Sequence, residues 1–275
     1  MQSKPLMARL MAAPHVVWSI LFIIAPMLFV FYYAFTDASG AFTMSNITEL
    51  ASPSYLTIFA RSGAFALVAT AICLLIAYPL AYAVSRANPK KQKFYIMLIM
   101  LPMWMNFLIR TYSWMAILED TGFINQILMK IGLEPVHMIN TSGAVILGMV
   151  YNFLPYMILP IYSVMSKIDR RLVEAAQDLG CSGIHVLTKV TLPLSMSGII
   201  SGVTMVFVPS ISTFYISQKL GGGNFDLIGD TIERQFQTSY NYNLGAAISL
   251  ILMVIIIVCM AVMNHFSDED GGVVV

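Results

Sequence analysis

The chain has 275 residues, of which 58% are hydrophobic and 11% charged, with a mean hydropathy of +0.78 and a formal net charge of +1. Soluble domains carry about 25% charge, so this composition excludes an ordinary soluble enzyme, a disordered chain and a disulfide-stapled mini-protein. Near-neutrality also removes the basic field that would hold nucleic acid.

A spanning helix needs about 20 mostly apolar residues. Six segments meet that need: roughly Pro14–Phe35, Ala64–Val84, Phe94–Met115, Ala144–Met165, Ile199–Ser217 and Leu244–Asn264. The first follows Lys4 and Arg9, but its apolar run is longer than the roughly 7–15 residues of a signal peptide, so it reads as an uncleaved span. The third carries Arg110 near its outer end, and the fifth is interrupted by Pro209 and several hydroxyl residues. The pattern predicts an all-α membrane protein with six transmembrane helices. Residues 1–13 form a cytoplasmic N-terminus, 14–264 the membrane domain and 265–275 a cytoplasmic tail.

Lys and Arg set the orientation. One set of connecting segments holds ten of them: Lys4, Arg9, Arg86, Lys90, Lys91, Lys93, Lys167, Arg170, Arg171 and Lys189. The other holds five: Arg61, Arg110, Lys130, Lys219 and Arg234. The first set is expected on the cytoplasmic side, with both termini. The outer segments carry eight acids against those five bases, Asp37, Glu49, Glu119, Asp120, Glu134, Asp226, Asp230 and Glu233. The excess weakly favours a cationic solute, although the topology rule alone also depletes positive charge outside.

Catalytic chemistry is missing from the sequence. Gly221-Gly222-Gly223 lacks the lysine of a phosphate-binding loop, and His15, His137, His185 and His265 are scattered without paired ligand spacing. Cys73, Cys181 and Cys259 stand far apart and read as small packing residues. No Asp, Glu or Lys lies in the middle of a span, whereas proton-coupled carriers normally place a carboxylate there.

The segment 166–193 is the most informative. Asp169 is suited to cap a short helix whose Leu172, Val173, Ala176 and Leu179 share one face. Gly180 supplies the left-handed residue that ends it, Ser182 can cap a second short helix, and Pro193 is expected to stop that one. The product is an amphipathic cytoplasmic hairpin whose apolar face lies on the membrane, on the protein's own core or on a partner.

Glu174-Ala175-Ala176, then Gly180 after three residues, then Val190-Thr191-Leu192-Pro193 after nine resembles the EAA motif of ABC importer permeases, with Val190 in place of the usual Ile. The resemblance implies a MetI-like type I fold. It also implies a coupling role at an ATPase subunit for Glu174, Ala175, Ala176, Gly180, Leu192 and Pro193. Three further stretches, Leu101–Tyr112, Tyr151–Tyr162 and Phe214–Gly229, resemble the spermidine/putrescine permeases of the PotB type. With the hairpin, the likeness covers most of residues 64–250. It implies a non-catalytic subunit of the bacterial inner membrane that works with a second homologous permease, an ATPase dimer and an extracytoplasmic polyamine-binding protein. No cofactor is expected on this chain, and ATP and Mg belong to the ATPase.

A linear polyamine is a string of ammonium groups joined by methylenes, and aromatic faces hold such groups without a buried carboxylate. Trp104, Tyr112, Tyr151, Phe214 and Tyr215 are the aromatic candidates for the pathway, with Asn106 and Asn152 as carbonyl acceptors. Trp and Tyr also enrich at membrane interfaces for structural reasons. Arg110 is expected to pair with a carboxylate or to cap carbonyls near the outer surface. Pro79, Pro102, Pro155, Pro160 and Pro209 lie inside apolar spans, where they either break helices around a pathway or are simply tolerated. Two other readings stay open: an importer permease for a different small solute, and a stand-alone carrier or channel, which would have no ATPase for the hairpin to meet.

Overall fold

A computed structural model describes residues 13–270. The cytoplasmic assignment of residues 1–12, with Lys4 and Arg9, and the last five residues of the tail lie outside the described residues. In chain order the helices are α1 (Ala13–Ala34), α2 (Ser45–Glu49), α3 (Pro53–Arg86), α4 (Pro89–Trp104), α5 (Phe107–Leu118) and α6 (Phe123–Lys130). They continue as α7 (Ser142–Met165), α8 (Arg170–Asp178), α9 (Gly183–Leu194), α10 (Met196–Ser212), α11 (Tyr215–Gly221), α12 (Ile228–Gln237) and α13 (Tyr242–Asp270). Among the described residues four helices, α1, α3, α7 and α13, are long and apolar enough to cross a membrane, and the number rises to six if each of two bent pairs is one span.

Those bent pairs revise the expected third and fifth spans. The third is not one rod: α4 and the α5–α6 segment meet at 89°. Met105 and Asn106 leave the helical region at the break, and the Asn106 side chain accepts from the Leu108 N–H at 2.8 Å, capping α5. The fifth reaches spanning length only with α9, to which α10 is bent by 70°, and it ends at Ser212 rather than Ser217. Pro209 lies inside α10 and does not break it. Pro193 does not stop the second hairpin helix either, because α9 continues to Leu194 and the chain turns at Ser195. Beyond Asn264, the expected tail begins as helix, since α13 runs on to Asp270.

The chain divides into two compact units. The first comprises the described residues up to Thr57 together with Thr231–Ile255. There α1 exposes Leu21, Phe22, Leu28 and Phe29 along its length, as a helix facing hydrocarbon does. Asn243 Nδ2 donates to the Thr36 carbonyl at 2.6 Å and the Tyr33 carbonyl at 3.2 Å, joining the start of α13 to the end of α1. Just beyond, Asp37 organises a turn, its Oδ1 accepting from the Ser39 hydroxyl at 2.6 Å and from the N–H groups of Ser39 and Ala41.

The second unit comprises Ile58–Asp230 and the end of α13. Its core is built on α7, whose Val145, Met149, Met157, Ile158 and Ile161 are fully or almost fully buried. Small residues let neighbours approach closely, the usual device where lipid gives no hydrophobic drive between helices. On α3 the stripe Ala69, Cys73, Ala77 and Ala81 is completely buried, and the Cys73 thiol reaches the Val150 carbonyl at 3.8 Å. On α10, a Cβ at Gly198 would stand 3.0 Å from the Pro160 carbonyl, and one at Gly202 2.8 Å from Met157 Sδ. This packing fixes α10 along α7, with α11 held against both α7 and α5.

Candidate functional site

The break after α10 and the start of α5 bring the central aromatic residues together. Thr213 and Phe214 leave the helix, and α11 then begins at Tyr215. Tyr215 meets Tyr112 of α5 edge to face, with ring centroids 6.1 Å apart, and meets Phe107, also of α5, at 6.0 Å. α11 is fixed from behind, because Ile216 and Leu220 are fully buried against α7 at Gly148. Its Ser217 hydroxyl donates to Asp230 Oδ1 at 2.9 Å, while Asp230 Oδ2 accepts from the Leu227 N–H at 3.0 Å. A Cβ at Gly229 would lie 2.5 Å from the Ser212 carbonyl and 2.7 Å from that of Thr213, so only glycine lets α12 start against the break.

Two cations sit on these rings. Lys219, one turn after Tyr215, places Nζ 5.7 Å from the Tyr112 centroid and 5.8 Å from that of Tyr215. Arg110 places its guanidinium carbon 5.9 Å from the Phe107 centroid. Arg110 was expected to pair with a carboxylate or to cap carbonyls. Instead it is only 6% exposed, and its Nε and Nη1 have no hydrogen-bond partner among the described residues.

The other expected pathway residues are dispersed. Tyr151 on α7 packs against Trp114 at 5.3 Å. Trp104 ends α4 with 73% of its surface exposed, and Phe214 is exposed at the helix break. The exposed Asn106 carbonyl caps α5 through one accepted bond. Asn152 is buried, its Nδ2 donates to the Gly148 carbonyl at 2.8 Å, and its Oδ1 has no partner among the described residues. Phe107, Trp114, Lys219 and Asp230 belong to this region and were not expected there. Spacing was the available signal for two of them: Phe107 lies three residues from Arg110 and Lys219 four from Tyr215, about one helical turn in each case.

The hairpin forms as its sequence suggests at its first turn. Asp169 caps α8, its side chain accepting from the Arg171 N–H at 3.0 Å, and Gly180 takes φ +83°. Ser182 precedes α9, but its hydroxyl bonds the His185 ring at 2.7 Å instead of a backbone N–H. Leu172, Leu179 and Ile184 are exposed, as are Glu174, Ala175 and Gly180, while Ala176 and Leu192 are half-buried and Pro193 is exposed.

Residues 2–268 match the family described as binding-protein-dependent transport system inner membrane component. The chain belongs to this family. The permease is 39% identical over 246 residues to the spermidine/putrescine transport system permease protein PotB of Haemophilus influenzae, the match covering 86% of each chain. To PotB of Escherichia coli K12 it is 35% identical, over 86% of this chain and 90% of that one. Among solved structures, a bacterial ABC transporter involved in the import of alginate matches with a TM-score of 0.78 at 19% identity, covering 97% of the permease and 96% of that chain. At that identity the likeness establishes the fold, a MetI-like ABC permease fold. The family membership disposes of the stand-alone carrier or channel.

Proposed function

We propose that the permease forms part of the translocation pathway of an ATP-driven importer for spermidine or putrescine, delivered by an extracytoplasmic binding protein. The observation that carries the reading is 39% identity to a spermidine/putrescine permease along 86% of both chains. The Tyr112–Tyr215–Phe107 cluster supports it chemically. Aromatic faces attract ammonium groups by about 0.5–2 kcal/mol each, enough to favour entry and weak enough to permit exit.

The exposed apolar residues of the α8–α9 hairpin are the proposed dock for an ATPase subunit. Closure of two ATPases would push on α8 and reach α7 and α10 as packed, rigid levers. Glu174 and Gly180 act there as interface residues, and ATP with Mg2+ stays on the ATPase. A second homologous permease completes the pathway. Both termini face the cytoplasm, as the ten-to-five division of Lys and Arg requires.

Arg110 and Lys219 beside the rings favour a second reading, in which the solute is an anion. Uptake of radiolabelled spermidine, putrescine and an anionic control into proteoliposomes carrying the whole complex separates the two. Saturable polyamine uptake driven by ATP supports the first reading. Entry of the anion without either polyamine overturns it and leaves the fold and coupling assignments intact.

A further inference from the structure

We infer that the Tyr112–Tyr215 pair is an ammonium-binding site already filled by the permease's own Lys219, which an incoming ammonium group must displace. The inference rests on the polyamine reading for its substrate but on this chain's geometry for the site. From Cβ outward a lysine side chain is a butylammonium: four methylenes ending in a primary ammonium. That is the unit from which linear aliphatic diamines are made. In this structure the unit is laid against two rings at once, 5.7 Å and 5.8 Å from their centroids, and the rings stand edge to face as two walls of one corner. The corner is partly open, since Tyr112 is 44% exposed and Lys219 and Tyr215 are half-buried. Tyr215 and Lys219 share the seven-residue α11, whose other face is locked onto α7 through Ile216 and Leu220. The backbone is therefore fixed, and the flexible lysine stem is the part able to swing away.

A resident cation changes what the site does. A tethered ligand lowers the apparent affinity for a free one by the fraction of time the site is filled. It also keeps the aromatic faces covered while no substrate is present. Displacement leaves the Lys219 charge beside the entering ammonium, which pushes the substrate onward rather than holding it.

The test uses the assembled transporter in lipid nanodiscs and an amine-acetylating reagent, with acetylation at Lys219 read by mass spectrometry. Lys130 and Lys90, both exposed and outside the hairpin, serve as internal standards. The added cation is a bis-quaternary diammonium, which binds aromatic faces but cannot consume the reagent. Lys219 should acetylate more slowly than the standards, and the cation should accelerate it severalfold. Tyr112→Leu or Tyr215→Leu should accelerate it without any cation, whereas Tyr112→Phe and Tyr215→Phe, which keep the rings, should not. A cation that leaves Lys219 unchanged or protects it overturns the proposal, as does equal behaviour of the Leu and Phe variants.

Transport supplies the second arm. Lys219→Met keeps the stem and removes the charge, and should lower the KM for spermidine by about fivefold with a smaller change in kcat. A raised KM overturns the inference. If the wild-type complex transports no polyamine, the proposed substrate fails, but acetylation still decides whether the corner is a cation site.

Discussion

One added methyl group at Gly148 should move the aromatic corner without touching it. Gly148 lies in α7, where a Cβ would meet Leu220 Cδ1 within hard contact and Ile216 Cγ2 at 2.8 Å. Both partners are fully buried on α11, so neither can turn outward, and α11 must shift. Overpacking of this kind costs about 1–3 kcal/mol. Ala for Gly inside a helix returns about 1 kcal/mol, and that term can be cancelled by comparison. Gly63, inside α3, has nothing within 4 Å of its Cβ position, so Gly63→Ala takes the helix gain alone. The difference between the two variants is then the packing term, about 1–3 kcal/mol. At about 2–4 °C per kcal/mol for a chain of this size, Gly148→Ala should melt at least ~2 °C below Gly63→Ala in detergent-purified permease. Lys219 acetylation should rise in Gly148→Ala only. Equal melting temperatures, or a more stable Gly148→Ala, would refute the claim that α11 is wedged against α7.

Other expectations follow from single residues. Gly180 at φ +83° has open space around its Cβ position, so Gly180→Val strains the backbone and should uncouple ATP hydrolysis from uptake, while Gly180→Asn, which tolerates that conformation, should keep most coupling. Full uptake in Gly180→Val counts against the hairpin as the dock. Trp104→Ala should reduce polyamine uptake more than basal ATPase activity, with Trp104→Tyr retaining part of it; normal uptake in Trp104→Ala removes that ring from the pathway. Cys181 is exposed on the hairpin whereas Cys73 is buried, so a membrane-impermeant maleimide should label Cys181 in inside-out vesicles lacking the ATPase and not in intact cells. The Ser39 hydroxyl, with the Ala41, Ser39 and Gly40 N–H groups, holds the Asp37 carboxyl below its ordinary value. A depressed carboxylate stabilises the turn above its unfolded pKa and loses that contribution as pH falls through the folded one. Amide exchange at Ser39 and Ala41 should therefore accelerate in acid beyond the intrinsic trend in wild type and not in Asp37→Asn.

Four spans and the hairpin were legible because each is a local pattern. A long apolar run sets α1, α3, α7 and α13, and Asp169 with Gly180 marks the ends of α8 by capping chemistry alone. The bend between α4 and α5 was hidden because a single polar residue, Asn106, interrupts an otherwise apolar stretch from Phe94 to Ile109. Its signals were Pro102 and the capping amide of Asn106, which composition does not weigh. The aromatic candidates Tyr112 and Tyr215 came from residue type and lie more than a hundred positions apart, so their meeting depends on the Gly148 contact between α7 and α11. Lys219 was assigned to an outer loop as a charge to be counted. Only the helical turn from Tyr215 to Lys219, folded against α5, puts its ammonium on two rings.

The bend after Trp104 also bears on how the chain enters the bilayer. α4 has 16 residues, about 24 Å of helix, against a hydrocarbon thickness of about 30 Å. It opens with Lys90, Lys91 and Lys93, which further shorten its apolar stretch. The ribosome delivers α4, α5 and α6 well before α7, the helix against which α4 and α5 pack. During that interval the sub-length α4 has α3 beside it, with Gln92 Nε2 donating to the Ser85 carbonyl at 2.9 Å, but lacks the α7 face. Membrane integration of this segment is thereby tied to the synthesis of a later one, and a ribosome stalled before Ser142 should leave residues 89–130 extractable from the membrane while α3 stays in it.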